Sequence, residues 1–241
     1  MVTRPALYMI PVSLSDAPAA DYIPAGNVAL VAGIRHFIVE NVRTARRFLR
    51  RCDPSFPIDE CSFEELNRHT DLTAAESWLA PLAQGLPVGM MSEAGCPGVA
   101  DPGAFIASLA QKKGYRVVPL AGPSSILMSL MASGFNGQGF SFHGYLPVDD
   151  AAKARRIREL ESAALHSGMT QIFIETPYRN NRTIKLLAST LRGSTLLCVA
   201  AGITDPQLES IITLPASEWA RKEFDYNKIP AIFLIGTAPE L

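Results

Sequence analysis

The sequence predicts an α/β protein with two domains, and three observations indicate this class. Short apolar runs typical of buried strands recur along the chain, the first at residues 7–10 and another at 88–91. Segments with helical spacing, such as 105–112, lie between such runs. Turns rich in glycine and proline connect a run to the helical segment that follows it. This alternation is typical of sheets whose parallel strands are joined by helices.

The first domain is expected over residues 1–120, with a parallel sheet. Its predicted strands cover residues 7–10, 88–91 and 115–120, its predicted helices cover 42–51, 73–84 and 105–112, and the segment 28–39 is predicted to hold a helix end followed by a strand.

The second domain is expected over residues 121–241. Its predicted strands cover residues 140–145, 171–175, 195–200, 208–214 and 231–235, and its predicted helices cover 126–132, 151–164 and 181–191. The last strands follow one another closely, which predicts a mixed sheet or antiparallel pairing at one edge.

Composition excludes several classes of protein. The chain has 241 residues, of which 48% are hydrophobic and 19% charged, as in ordinary globular proteins. Its net charge of −1 provides no general attraction to nucleic acid, so such binding would need a local basic patch. The start does not resemble a secretory signal, and the longest apolar run, 126–132, is too short to span a bilayer. Four cysteines without paired spacing predict neither a metal site nor a disulfide framework, so we expect a cytoplasmic protein.

The most informative loop lies in the segment 89–103, which contains four glycines, two prolines and two carboxylates. It follows a strand, and open α/β sheets bind ligands at the carboxyl ends of their strands. Its glycines let a ligand approach the backbone, and Glu93 offers an acceptor for a hydroxyl or an amine. Asp101 and Pro102 are predicted as the N-cap and first residue of the next helix. The alternative is a tight strand-to-helix turn without a ligand.

Seven short motifs occur in a characteristic order. They are Leu-Tyr-Met-Ile-Pro at 7–11, Glu-Asn-Val-Arg at 40–43, Ser-Glu-Ala-Gly-Cys-Pro at 92–97, Asp-Pro-Gly at 101–103, Val-Val-Pro-Leu-Ala-Gly-Pro-Ser-Ser at 117–125, Phe-His-Gly-Tyr-Leu-Pro at 142–147 and Pro-Ala-Ile-Phe-Leu-Ile-Gly at 230–236. With them the chain resembles the class III S-adenosylmethionine-dependent methyltransferases, the tetrapyrrole methylase superfamily. Within it, the chain is most similar to the branch that methylates the ribose 2′-oxygen of small-subunit ribosomal RNA.

The resemblance implies two α/β domains of the tetrapyrrole methylase type, with S-adenosylmethionine bound in the cleft between them, and a homodimer. The cofactor-binding residues that it implies are Pro11, Ser92, Glu93, Ala94, Gly95, Ser124, Ser125, Thr176, Pro230 and Ala231. Glu40 and Arg43 follow a predicted strand and are the candidates for catalysis, by positioning the substrate or handling its proton. A local ion pair is the alternative interpretation of these two residues.

A basic stripe suggests where RNA would bind. Arg43, Arg46, Arg47, Arg50 and Arg51 follow helical spacing and share one helix face. We expect Arg46, Arg47, Arg50 and Arg179 to bind the substrate, with a solvated basic face as the alternative. A second basic group at 153–158 extends this track or is the polar side of a helix. His143 has the chemistry of a general base. The alternative interpretation is a core histidine held by hydrogen bonds.

Departures from the family pattern keep other functions open. The loop after Pro11 lacks the usual glycine, Asn41 replaces an aspartate, and the segment 201–205 lacks the branch's arginine and lysine. Pro230 and Ala231 resemble the members that methylate tetrapyrrole carbons. Methylation of ribosomal RNA is nevertheless the leading hypothesis, because the order of the seven motifs is most similar to that branch. The alternatives are methylation of a tetrapyrrole or another small molecule, and a non-catalytic protein that binds S-adenosylmethionine or a partner.

Overall fold

The computed structural model describes residues 3–66, 70 and 72–238 of the chain. The chain divides into two compact units, Met1–Ser124 and Ser125–Leu241. Within the described residues, each unit is built around its own five-stranded sheet. In the same part of the chain, no helix combines the length and the apolar character needed to cross a membrane.

The first unit contains a sheet whose described pairings are all parallel. Its strands are β1 (Leu7–Met9), β2 (His36–Val39), β3 (Ser62–Glu65), β4 (Val88–Met91) and β5 (Val117–Pro119), in the order β3-β2-β4-β1-β5. Its α-helices are α1 (Ala25–Val31), α2 (Val42–Cys52), α3 (Ala80–Ala83) and α4 (Gly103–Lys112), and its 3-10 helices cover Ala19–Asp21, Ile58–Glu60 and Leu72–Leu79.

Helices cover both faces of this sheet, because the strands are apolar on both sides. One face packs side chains of α1 and α2, including Val31 and Leu49, and the other packs α4 through Ile106. Strand β1 is therefore followed by a helix on one face and its neighbour β4 by a helix on the opposite face. Adjacent strands whose connections leave on opposite faces form a topological switch point, where open α/β sheets place their ligands.

Two sequence predictions in the first unit need correction, and one strand was missed. The helix predicted at 73–84 is wrong, because the chain forms a 3-10 helix over Leu72–Leu79 and only one α-helical turn, α3. Strand β3 was not predicted, since its Ser-Phe-Glu-Glu sequence is mostly exposed at the sheet edge. Helix α4 begins at Gly103, and Asp101 accepts hydrogen bonds from the amides of Gly98 and Gly103 instead of acting as the N-cap.

The second unit contains a mixed sheet. Its strands are β6 (Phe140–Tyr145), β7 (Thr170–Ile174), β8 (Leu196–Ala201), β9 (Ser210–Pro215) and β10 (Ala231–Gly236), in the order β6-β7-β10-β8-β9. Its α-helices are α5 (Ser125–Ser133), α6 (Asp150–Ser167), α7 (Asn180–Thr190) and α8 (Ala216–Trp219), and a 3-10 helix covers Pro177–Arg179. Only β6 and β7 are parallel, and β10 runs antiparallel between β7 and β8.

The second core lies mainly between this sheet and helices α6, α7 and α8. Phe173 and Phe233 stack on adjacent strands, with ring centroids 5.6 Å apart. Trp219 is 1% exposed, and its indole N–H donates to the carbonyl of Leu197 at 2.9 Å. Because the buried indole has its partner, α8 is anchored on the sheet despite its single turn.

Candidate functional site

Two loops meet at the switch point of the first unit. Val12, just after β1, forms an antiparallel bridge with Gly95, in the loop after β4. The Val12 amide donates to the Gly95 carbonyl at 2.9 Å, and the reverse bond measures 3.2 Å. Gly95 has a φ of +70°, which favours glycine. The bridge brings the sequence-predicted cofactor residues Pro11 and Ser92 to the same edge of the sheet.

The loop after β5 closes on the same place. A Cβ added to Gly122 would lie 2.3 Å from Cβ of Pro11, so only glycine fits there without a shift. The side-chain amide of Asn27, in α1, donates to the carbonyl of Ala121 at 2.7 Å. The Cys96 thiol lies 3.4 Å from the carbonyl of Pro123. Three carboxyl-end loops are therefore packed together through backbone and small side chains.

Ser13 was missed by the sequence analysis. Its Oγ atom is buried and has no hydrogen-bond partner among the described residues. A buried hydroxyl without a partner is unfavourable and calls for an explanation, such as a ligand that completes it. It lies next to the Val12–Gly95 bridge, within the predicted site. The signal available in the sequence was its place in the loop after Pro11, which lacks the glycine expected there from the resemblance.

Of the two predicted catalytic residues, Glu40 contacts the loop that follows β4. Glu40 directly follows β2, and its Oε2 atom accepts a hydrogen bond from the Glu93 amide at 3.1 Å. Asn41 accepts from the Thr44 amide at 3.1 Å and so caps α2. Arg43 lies in the first turn of α2 and is exposed. Thus Glu40 supports the candidate cofactor loop, and the amide at position 41 serves the helix.

The basic stripe on α2 is partly occupied by contacts within the first unit. Arg46 pairs with Asp59 at 3.2 Å, and Arg51 pairs with Asp16 at the same distance. The side chain of Arg50 donates to the carbonyl of Pro54 at 2.6 Å. Arg43 and Arg47 are exposed and make no side-chain hydrogen bond or ion pair with the described residues. Two of the five guanidinium groups therefore remain available for a phosphate.

The remaining predicted residues lie at the boundary of the units and in the second unit. Ser124 ends the first unit, and Ser125 begins α5. The register pairs Ala231 with Ala201 and Ile232 with Ile174, so Thr176 and the Pro230–Ala231 step lie at the same sheet edge. The amide of Lys228 donates to the carbonyl of Pro177 at 3.1 Å, which ties the two turns together. Arg179 is exposed nearby.

A buried ion pair supports this edge and was also missed. Lys153 and Glu175 are 3% and 7% exposed, and the ammonium donates to Glu175 Oε2. The interpretation of residues 153–158 as one basic surface is therefore wrong for Lys153. Burial opposes ionisation of Glu175, but hydrogen bonds from Lys153 and from the Thr176 amide lower the pKa of the carboxyl below its usual value.

Two reactive side chains, those of His143 and Cys96, already have contacts within the protein. The Arg156 guanidinium lies 3.2 Å from Nδ1 of His143, and because a guanidinium can only donate hydrogen bonds, Nδ1 is the acceptor. Nε2 of the same ring lies 2.8 Å from Gln171 Oε1. Both ring nitrogens therefore have protein partners, as expected for a structural histidine. Burial raises the pKa of the Cys96 thiol, which disfavours the thiolate that a nucleophile requires.

Each unit therefore gathers part of the predicted cofactor set at one sheet edge. In the first unit these are Pro11 and residues 92–95, and in the second they are Thr176, Pro230 and Ala231. Backbone amides and carbonyls suit the heterocycle of a nucleoside, and carboxylates suit its hydroxyls or an amine. These are the kinds of polar group that a bound nucleoside would need.

The chain is similar to proteins named Ribosomal RNA small subunit methyltransferase I. The protein of Vibrio cholerae is 28% identical over 234 residues, which cover 96% of this chain and 77% of that protein. The one from Pseudomonas aeruginosa is 26% identical, over 88% of this chain and 72% of that protein. The one from Xylella fastidiosa is 34% identical over 56% of this chain, and this alignment spans about half of its length, 48%.

A solved structure shares the fold. The crystal structure of the methyltransferase CobJ matches with a TM-score of 0.64 over 97% of this chain and 94% of that one, at 16% sequence identity. No family model matches the chain. Together the sequence relatives and the shared fold confirm the predicted resemblance, the α/β class and the prediction of a methyltransferase.

Proposed function

We infer that this chain belongs to the class III S-adenosylmethionine-dependent methyltransferases and methylates the 2′-oxygen of a ribose in small-subunit ribosomal RNA. The name of its relatives supports the substrate class. The observation that carries the proposal is the meeting of the β1 and β4 loops at the switch point, through the Val12–Gly95 bridge. This geometry offers backbone polar groups where a nucleoside cofactor binds in open α/β sheets.

The residues present fit S-adenosylmethionine. The Ser13 hydroxyl is buried without a described partner, and the tight packing of Gly122 on Pro11 keeps side chains away from the loop backbones. The carboxylates of Glu40 and Glu93 complement the positive charge of a sulfonium and an ammonium group. When bound, the cofactor supplies an electrophilic methyl group on a sulfur that is already a good leaving group.

The proposed cofactor contacts are assigned within each unit separately. They are Pro11, residues 92–95 and Ser124 in the first unit, and Ser125, Thr176, Pro230 and Ala231 in the second. Four of these residues, Ser92, Ser124, Ser125 and Thr176, carry hydroxyls, each of which can both donate and accept a hydrogen bond. The homodimer stays a prediction from the resemblance, and sedimentation of the purified protein tests it.

The protein's main catalytic task is to orient the attacking oxygen and accept its proton. In our proposal Arg43 pairs with a phosphate of the substrate, and the Glu40 carboxylate accepts the proton that the 2′-hydroxyl loses. Both side chains follow β2 at the carboxyl edge of the sheet. Glu40→Gln should therefore lower the turnover number more than it weakens RNA binding.

The RNA track starts from the arginines of α2. Arg43 and Arg47 are exposed and unpaired within the described residues, so they contact phosphates without breaking an existing ion pair. Arg46 and Arg50 already have protein partners and contribute less. Arg179, in the second unit, is a separate proposed substrate contact. Because phosphate contacts release counterions, binding should weaken steeply as the salt concentration rises.

The deciding experiment is transfer of a tritiated methyl group from the cofactor to small ribosomal subunits, with the product digested to nucleosides. Label in a 2′-O-methylnucleoside is the expected result. Label on a base would contradict ribose methylation, and label only in an added tetrapyrrole would favour the small-molecule alternative. Binding of S-adenosylhomocysteine without turnover on either substrate would support the non-catalytic protein.

Ser13→Ala tests the cofactor site separately. Because the hydroxyl has no described partner, its removal should leave the free energy of unfolding unchanged or slightly higher. If the hydroxyl bonds the cofactor, the Kd for S-adenosylhomocysteine should rise about three- to tenfold in calorimetry. Ser55→Ala, which removes the hydroxyl that exposed Ser55 donates to Asp53, is the control and should leave that Kd unchanged.

A further inference from the structure

The carboxylate of Glu175 connects four groups inside the second unit. Its Oε2 atom accepts from Lys153 and from the Thr183 hydroxyl, the latter at 3.1 Å. Its Oε1 atom accepts from the Thr176 amide at 2.8 Å and from the Thr176 hydroxyl at 3.3 Å. One side chain thus links α6, α7 and the turn that follows β7.

Stability alone does not explain a buried pair of charges. Removing two ions from water costs several kcal/mol each, and apolar residues of similar volume are often as stabilising as the pair. The pair does fix the orientation of the Glu175 carboxylate, because each of its two oxygens accepts from particular donors. Its distinctive consequence is therefore the orientation of the groups bonded to Oε1, which both belong to Thr176.

The orientation of Thr176 matters for the site. Its hydroxyl has one hydrogen, and donating it to Glu175 leaves only acceptor capacity. Its carbonyl accepts from the Arg179 amide at 2.8 Å, and the carbonyl of Pro177 accepts from the Lys228 amide. The turn is thus held on both sides, next to the start of β10 at Ala231.

We propose that Glu175, aimed by Lys153, is a positioning residue that presents the Thr176 hydroxyl as an acceptor to a donor group of the cofactor. The proposal rests on the proposed function. It adds Glu175, which acts on cofactor binding through Thr176 and does not itself contact the cofactor. Suitable donors are the amino and hydroxyl groups of a nucleoside that carries an amino acid. Lys153 neutralises the buried carboxylate and prevents it from rotating away from the turn.

Two charge-free double variants separate positioning from charge. In Lys153→Met/Glu175→Gln the amide oxygen still accepts from the Thr176 amide, whereas Lys153→Met/Glu175→Leu removes that acceptor. Neither leaves a lone buried charge, so both should fold. We expect the glutamine variant to bind S-adenosylhomocysteine within about threefold of the wild type, and the leucine variant about tenfold or more weakly.

Amide hydrogen exchange at Thr176 provides the second measurement. Exchange should accelerate about tenfold or more in the leucine variant and much less in the glutamine variant, since only the former loses the acceptor. Equal binding and equal exchange in the two variants would overturn the proposal. If the wild type fails to bind S-adenosylhomocysteine, the proposed function fails, while the exchange rates still decide whether Glu175 holds the turn.

Glu161→Gln is the matched control. Glu161 is also buried, at 6% exposure, but it accepts from the Arg192 amide and the Thr195 hydroxyl at the start of β8. Its replacement should lower stability and leave the affinity for S-adenosylhomocysteine unchanged. If the leucine variant does not fold, Thr176→Val tests the same contact, and an unchanged Kd there would also contradict the proposal.

Discussion

The two units hold their candidate cofactor turns by different means. In the first unit, backbone bonds between Val12 and Gly95 and the close packing of Gly122 fix the loops. In the second unit, the buried Lys153–Glu175 pair fixes the Thr176 turn. A backbone-held loop tolerates changes of side chain but not an added Cβ, whereas a charge-held turn is sensitive to the loss of one partner. The comparison predicts where each unit is vulnerable.

The largest effect is expected from removing one buried charge. Lys153→Ala leaves the Glu175 carboxylate buried without its cation, and we expect the free energy of unfolding to fall by about 3–5 kcal/mol. Urea denaturation measures it. Lys185→Ala, an exposed lysine on α7, should change stability by less than about 0.5 kcal/mol. Equal losses in the two variants would contradict the role assigned to the buried pair.

The first unit should instead be sensitive to an added methyl group. In Gly122→Ala the new Cβ meets Pro11 at 2.3 Å, and overpacking of this kind costs about 1–3 kcal/mol. Gly26→Ala in α1 is the control, because no atom lies within 4 Å of its added Cβ. That change should stabilise the protein by about 0.5–1 kcal/mol through helix propensity. Thermal unfolding should show a lower Tm than the wild type for Gly122→Ala and a higher Tm for Gly26→Ala.

Lowering the pH should progressively remove the contribution of Glu175 to the free energy of unfolding. Its folded-state pKa is lower than the usual value of 4.5, so its stabilisation is complete above that pH and is lost as the pH falls through the folded pKa. The difference in unfolding free energy between the wild type and Glu175→Gln should therefore shrink between neutral pH and pH 3. A difference that grows with acid would show that the carboxylate is not stabilised in the fold.

Salt sharpens the same comparison. Glu76 of the first unit is exposed and pairs with Lys113 at 2.8 Å, which lowers its pKa as well. Ions screen exposed pairs far more than buried ones. Added sodium chloride should therefore abolish any effect of Glu76→Gln on stability and leave most of the effect of Glu175→Gln.

The smallest effect on stability is expected on the basic face of α2. Arg43→Ala/Arg47→Ala breaks no ion pair with the described residues, so the free energy of unfolding should change by less than about 0.5 kcal/mol. RNA binding should weaken, and the salt dependence of log K should fall by about 1.4 for two single-stranded phosphate contacts. Arg46→Ala/Arg50→Ala is the comparison, and a larger loss of RNA affinity there would refute the track.

Local patterns explain which elements were predictable. Strand β4 was predicted over its observed residues, 88–91, because a short apolar run between turn signals suits a strand buried on both faces. Strand β3 was not, because its Glu64 and Glu65 are exposed at the edge. Lys153 was placed with its basic neighbours on a surface, since spacing along a helix does not reveal a carboxylate 22 residues away.

The sequence by itself determined the class of this protein: alternating strands and helices, a glycine-rich loop after β4 and the motifs of a methyltransferase family. These properties depend on residues close together in the chain. Only the tertiary structure decided that Val12 binds Gly95, that Ser13 is buried without a described partner and that Glu175 holds Thr176 with the help of Lys153. Hydrogen bonds and burial depend on distance in space, which is determined only when segments far apart in the chain pack together.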